Sequence, residues 1–209
     1  MRFFFSILIS LFIGLNSTAQ DTDGDQLSDN DEILIGTDPL VFEDNDSDGI
    51  SDHFDRDDDN DGINDNIECG FSNAGLVNGD FEMNAVAANS FQLISEANVP
   101  GWLTTDSKNE IEIWGNGFLG RNSFSGSNFA EINANSAGSL YQEIATNPNN
   151  YVIWSVAHQG RNSNTETMQV RVGSSLSSST ILTQQTATNG VWSFYSGVYL
   201  VPSAQVSST

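Results

Sequence analysis

One run of acids constrains everything else in this chain. From Asp44 to Glu68 the sequence DNDSDGISDHFDRDDDNDGINDNIE repeats the unit D-x-D-x-D-G-I-x-D twice. The first copy places carboxylates at Asp44, Asp46, Asp48 and Asp52, the second at Asp57, Asp59, Asp61 and Asp65. A looser copy upstream uses Asp21, Asp23, Asp25 and Asp29. Like charges at this density repel within a Debye length of about 8 Å, and the large side chains nearby are few, among them Leu34, Phe42 and Phe54. Apolar burial alone therefore does not fold this stretch. A hard cation does: Ca2+ takes six to eight oxygens at about 2.3–2.6 Å. Acids at positions 1, 3 and 5 of a tight loop converge. Glycine at position 6 (Gly49, Gly62) permits the sharp turn. Position 7 then offers a backbone carbonyl, from Leu27, Ile50 and Ile63. Position 12 closes the shell with Glu32, Asp55 and Glu68. A solvated acidic linker is the alternative, but random acidity does not set Asp, Gly and Ile in one order twice.

These residues resemble thrombospondin type 3 repeats, which also occur in many bacterial surface proteins. The likeness covers residues 20–68 and implies irregular loops wrapped around calcium, with metal binding as their folding energy. Copies starting at 21, 44 and 57 lie 23 and 13 residues apart, intervals that match that family's two repeat lengths. The first copy departs from the pattern at Gln26, where glycine is usual. Its site is expected to be the weakest.

Residues 1–19 read as a secretory signal peptide. Arg2 supplies the charge, Phe3 to Leu15 the apolar run, and Ser17-Thr18-Ala19 a small-x-small cleavage pattern. The run is shorter than the roughly 20 residues of a membrane span, and no later stretch could cross one. The expected destination is the extracellular medium or the cell surface. Of the 28 acids, 19 fall in residues 20–68 with one base, Arg56; residues 69–209 hold nine acids and four bases. That imbalance excludes nucleic acid as a partner, since phosphate binding needs clustered Lys and Arg.

Composition changes at Cys69-Gly70. All four Trp and all four Tyr follow it. Short alternating segments (110–114, 128–132, 151–156, 168–172 and 191–201) are separated by turn formers such as Asn116-Gly117 and Asn189-Gly190. This pattern predicts an antiparallel β-sandwich or jelly roll over residues 70–209. Glu32 to Gly36 predicts a single helical turn. The fold class is thus mostly β: acidic calcium-wrapped repeats, then a sandwich. Gly75-Leu76-Val77-Asn78-Gly79-Asp80-Phe81-Glu82, followed by Pro100-Gly101-Trp102, resembles the start of a galactose-binding-like sandwich, a group rich in carbohydrate-binding modules. The likeness implies a structural calcium at Glu82 and a glycan or cell-surface protein as ligand. The chain stops soon after the last alternating segment, so a truncated sandwich is expected.

Catalytic motifs are missing. There is no H-E-x-x-H, G-x-S-x-G or P-loop. The single cysteine, Cys69, has no partner for an internal disulfide. Candidate ligand contacts are Trp114, which alternation sets beside Glu110 and Glu112, and His158 with Arg161 at a strand end. For each, a structural role is preferred: Trp114 packing under the loop 115–120, His158 and Arg161 as a satisfied edge pair. The expected function is a secreted calcium-binding surface or adhesion protein. The alternative is the non-catalytic N-terminal region of a larger secreted enzyme such as a glycoside hydrolase.

Overall fold

Carboxylates gripping backbone amides, rather than regular helices, shape the acidic stretch. In the computed structural model the described residues are 19–62, 75–205 and 207–208. Residues 1–18, all within the expected signal peptide 1–19, and Ile63, Asp65, Glu68 and Cys69 lie outside them. The chain forms two compact units, dividing between Phe42 and Glu43.

In the first unit an acidic loop runs into helix α1 (Asp29–Ile35). Ser28 caps its start by accepting from the Asp31 amide at 3.2 Å, and Asp29, Asp31 and Glu32 sit in the first turn, where the helix dipole favours anions. Gly36, left-handed at φ 95°, ends it and donates its N–H to Glu32 O. The single turn expected from sequence is thus a seven-residue helix. Leu27 and Glu32 are fully buried here.

The second unit carries the other two acidic loops and the β-strands. The strands are β1 (Phe91–Ser95), β2 (Leu103–Thr104), β3 (Glu110–Gly115), β4 (Asn128–Glu131), β5 (Leu140–Tyr141) and β6 (Ile144–Ala145). They continue with β7 (Tyr151–His158), β8 (Thr167–Gly173), β9 (Ser179–Thr186), β10 (Ser193–Leu200) and β11 (Ser207–Ser208). The fold is therefore mainly β. Among the described residues every ladder is antiparallel: a three-stranded sheet β1-β3-β4, and the pairs β7-β10, β8-β9, β2-β5 and β6-β11. A core of Val86, Val99, Ile111 and Ile113 takes Phe81, Ile94, Trp102 and Leu140 against it. Trp102 stacks on Phe81 at 5.0 Å and donates its indole N–H to Asn78 O at 2.8 Å. Burying each such side chain contributes about 1.5–3 kcal/mol.

Two readings of the strands change. The resemblance to a galactose-binding-like sandwich implies one strand over residues 140–144, but Gln142 interrupts it. Its buried amide accepts from Val77 N at 3.0 Å and donates to Val77 O at 2.7 Å, standing in for a neighbouring strand. Alternation sends Glu110, Glu112 and Trp114 together to solvent. Instead β3 is central in its sheet and buried on both faces from Ile111 onward. Among the described residues no helix is long and apolar enough to cross a membrane.

Candidate metal centre

The sequence repeat is also a hydrogen-bond repeat. In each loop the amide at position 6 donates to the acid at position 1: Gln26 to Asp21 Oδ2 at 3.2 Å, Gly49 to Asp44 Oδ2 at 3.1 Å, Gly62 to Asp57 Oδ2 at 2.9 Å. The amide at position 5 donates to the acid at position 3: Asp25 to Asp23 at 3.2 Å, Asp48 to Asp46 at 2.8 Å, Asp61 to Asp59 at 3.2 Å. The amide at position 7 donates to the acid at position 5, Leu27 to Asp25 at 2.7 Å and Ile50 to Asp48 at 2.8 Å. The acid at position 9 reaches back to the amide at position 2, Asp29 from Thr22 at 2.8 Å and Asp52 from Asn45 at 2.9 Å. One spacing thus generates one backbone path. Position 6 is left-handed throughout, with φ 76° at Gln26, 95° at Gly49 and 90° at Gly62. Gln26 therefore adopts the glycine conformation at a cost of about 1–2 kcal/mol.

This arrangement turns acid oxygens toward one another. In each of Asp21-Asp23-Asp25, Asp44-Asp46-Asp48 and Asp57-Asp59-Asp61, one oxygen per residue lies within 4.8 Å of the others. Two oxygens on a single Ca2+ can be no more than about 5 Å apart, so each triplet fits one ion. Asp23 Oδ2, Asp44 Oδ1 and Asp46 Oδ2 are buried with no hydrogen-bond donor, while the other oxygen of each carboxylate accepts an amide. A buried anionic oxygen without a donor is costly, and a metal ion is a partner that would satisfy it. At Asp46 the Asp48 amide lowers the pKa, but lost solvent and the charges of Asp48 and Asp55 outweigh it and raise the carboxyl above the ordinary Asp value. At position 12, Glu32 brings a carboxylate oxygen within 4.8 Å of Asp23, whereas Asp55 turns to the Asp57 amide at 3.2 Å.

Glu82 lies elsewhere and is spent differently. It accepts from the amides of Ser127 at 2.6 Å and Asn128 at 2.7 Å, and from the Asn128 side chain at 3.2 Å. Trp114 is only 2% exposed. Its ring meets Phe118, in the loop 115–120, edge-on at 4.8 Å, and Phe129 at 5.6 Å. Its indole N–H donates to Glu112 at 2.6 Å. The Arg161 guanidinium covers the ring at 4.9 Å and lies 3.8 Å from Glu131, the residue paired with Glu112 across β3 and β4. Trp114 thus has no face open to a sugar: it packs against the loop 115–120, the preferred of its two readings, and its alternative reading as a ligand contact is corrected. His158 ends β7 opposite Ser193; burial lowers its pKa, with the Glu166 charge opposing.

Sequence reasoning missed Asp106, which is buried and accepts from the Lys108 amide at 3.0 Å, Asn135 at 3.1 Å and Ser136 at 3.2 Å, tying two loops 30 residues apart. Only its position in a turn, Asp106-Ser107-Lys108, could have drawn notice. No protein-family model, no curated protein and no solved structure matches this chain.

Proposed function

We propose that this is a secreted, calcium-binding surface or adhesion protein, in which thrombospondin type 3-like loops carry a galactose-binding-like β-sandwich that recognises a glycan or a cell-surface protein. The observation that carries the calcium reading is the hydrogen-bond register common to the three loops. It fixes each backbone without metal and leaves acid oxygens facing one another. Asp21, Asp23, Asp25 and Glu32 would hold an ion in the first loop, Asp44, Asp46, Asp48 and the Ile50 carbonyl in the second, and Asp57, Asp59 and Asp61 in the third. Bound calcium supplies charge neutralisation and the missing ligand partner. The fit of Gln26 to the left-handed turn supports a first loop of the same form at lower affinity. Aromatic contact between Phe54, beside the second loop, and Phe194 of β10 at 5.8 Å, and Arg56 at 3.8 Å from Asp80, support loops that brace the β region rather than trail from it.

Calorimetry on the full chain tests this, paired with hydrogen exchange over residues 20–62. Calcium should bind at submillimolar free ion and slow exchange at the position 5, 6 and 7 amides. Magnesium should do so poorly, since it demands a smaller octahedral shell and keeps its waters. No calcium uptake at millimolar free ion would sink the reading.

A further inference from the structure

The β8–β9 pair contains a bulge. Val170 pairs with Thr183 and Arg171 with Ile181, which leaves Leu182 between them. Such bulges bend a ladder and re-aim its side chains. Beside the bend an open cleft of about 370 Å³ separates this pair from the short β2–β5 pair, within the size range of small-ligand sites. Thr105, Ser139 and Tyr141 form one wall; Gln169, Arg171 and Leu176 form the other. The chain has a formal net charge of -22, yet no Asp or Glu lines this cleft and one guanidinium does.

Arg171 is held in place. Its Nε donates to Ser179 Oγ at 2.9 Å, Nη2 to Ser179 O at 3.1 Å and Nη1 to Gln169 Oε1 at 3.1 Å. All three acceptors are neutral, so the charge is not cancelled. A guanidinium has five N–H donors; with three used, two remain. A fixed, uncancelled guanidinium suits a carboxylate better than a flexible ammonium does. The Ser139 and Tyr141 hydroxyls make no hydrogen bond among the described residues, and Leu140 and Leu176 give the walls apolar area. Hydroxyl groups beside a cation, with modest apolar contact, match a hydroxylated ring bearing an acid better than an extended peptide.

We propose that this cleft binds an acidic saccharide, with a uronate carboxylate on Arg171 and ring hydroxyls on Ser139 and Tyr141. The proposal rests on reading the β region as a ligand-binding module. The test titrates the full chain, in saturating calcium, with D-glucuronic acid, D-glucose and a tri-glutamate peptide, following amide shifts by NMR. Glucuronic acid should bind at least about tenfold more tightly than glucose, with shifts centred on residues 139–141 and 169–179. Arg171→Gln should abolish that preference, and Arg171→Lys should restore part of it. Should Arg171→Gln perturb the bulge, Ser139→Ala leaves the ladder intact and should weaken glucuronic acid severalfold. Equal affinity for the two sugars, a preference that survives Arg171→Gln, tighter binding of tri-glutamate, or no saccharide binding each overturns the proposal. Sugar binding indifferent to Arg171 would overturn it while leaving the ligand-binding reading in place, and calcium uptake is judged separately by calorimetry.

Discussion

The carboxylates of the acidic loops and those of the β region accept the same kind of hydrogen bond and end in opposite conditions. In the loops one oxygen accepts an amide and the other, at Asp23, Asp44 and Asp46, is buried without a donor. At Glu82 and Asp106 in the β region both oxygens are served. Glu82 takes two amides on Oε1 and Asn128 on Oε2; Asp106 takes Lys108 and Asn135 on Oδ1 and Ser136 on Oδ2. The physical difference is donor supply. A loop of alternating acids serves both oxygens of Asp21 and Asp29 from its own donors, and none is left for the second oxygen of Asp23, Asp44 or Asp46. Strand ends and turns bring in donors from distant sequence. An acid in the first setting could hold a metal ion, and an acid in the second is a staple.

Paired substitutions break this contrast most strongly. Asp106→Ala removes a fully bonded carboxylate and strands its donors, so it should lower the melting temperature most, with calcium uptake unchanged. Asp46→Asn keeps the oxygen that accepts from Asp48 and removes the charge. It should leave the melting temperature in chelator nearly unchanged, yet lower calcium affinity in its own loop on the order of 100-fold. Thermal melts in chelator, alongside calcium titrations, read both. Should Asp46→Asn destabilise the metal-free protein as much as Asp106→Ala does, the loop acids are staples too.

A smaller effect sharpens the comparison inside the loops. The first loop reaches the same register as the second with Gln26 at φ 76° where the second has Gly49. The register holds Gln26 left-handed without metal, so Gln26→Gly should relieve about 1 kcal/mol and raise the melting temperature in chelator. A melting temperature that does not rise would mean that Gln26 carries no strain there.

The loops were legible in the sequence because their geometry is local. Each hydrogen bond in the register joins residues two to seven apart, so spacing alone dictates it. The mainly-β character was also legible, since alternation at 151–156 and 168–172 is a local pattern, and the structure extends these to β7 and β8. Strands β1 and β9 escaped notice because they are largely exposed and their apolar residues do not alternate cleanly. The burial of Trp114 was not readable as a fact. It depends on Phe129 and Arg161, 15 and 47 residues away, brought over the ring by β4 and the turn after β7. Nor could Glu82 be separated from the loop acids by type, because its donors lie 45 and 46 residues downstream.

The smallest effect is a pH dependence that sets two acids of the β region against each other. Burial raises the Glu131 carboxyl above the ordinary Glu value; the Asn133 amide and Arg161 pull it down, and the charges of Glu112 and Glu166 push it up again. At Asp106 burial also raises the pKa, but bonds from Lys108, Asn135, Ser136 and Glu110 outweigh it and hold the carboxyl below the ordinary Asp value. Glu131 binds its proton more tightly folded than unfolded. Its contribution to stability is therefore full below the ordinary Glu value and is lost as pH rises through its raised folded value. Asp106 runs the other way: its contribution is present above the ordinary Asp value and is lost as pH falls through its lowered folded value. Glu131→Gln keeps the shape and removes the titration. Melting temperatures of the calcium-loaded chain across the acid range should therefore lose their decline above the ordinary Glu value in this variant, while the decline toward lower pH from Asp106 remains. A profile identical to that of the unsubstituted chain would mean that Arg161, 3.8 Å away, keeps Glu131 ionised in the fold despite its burial.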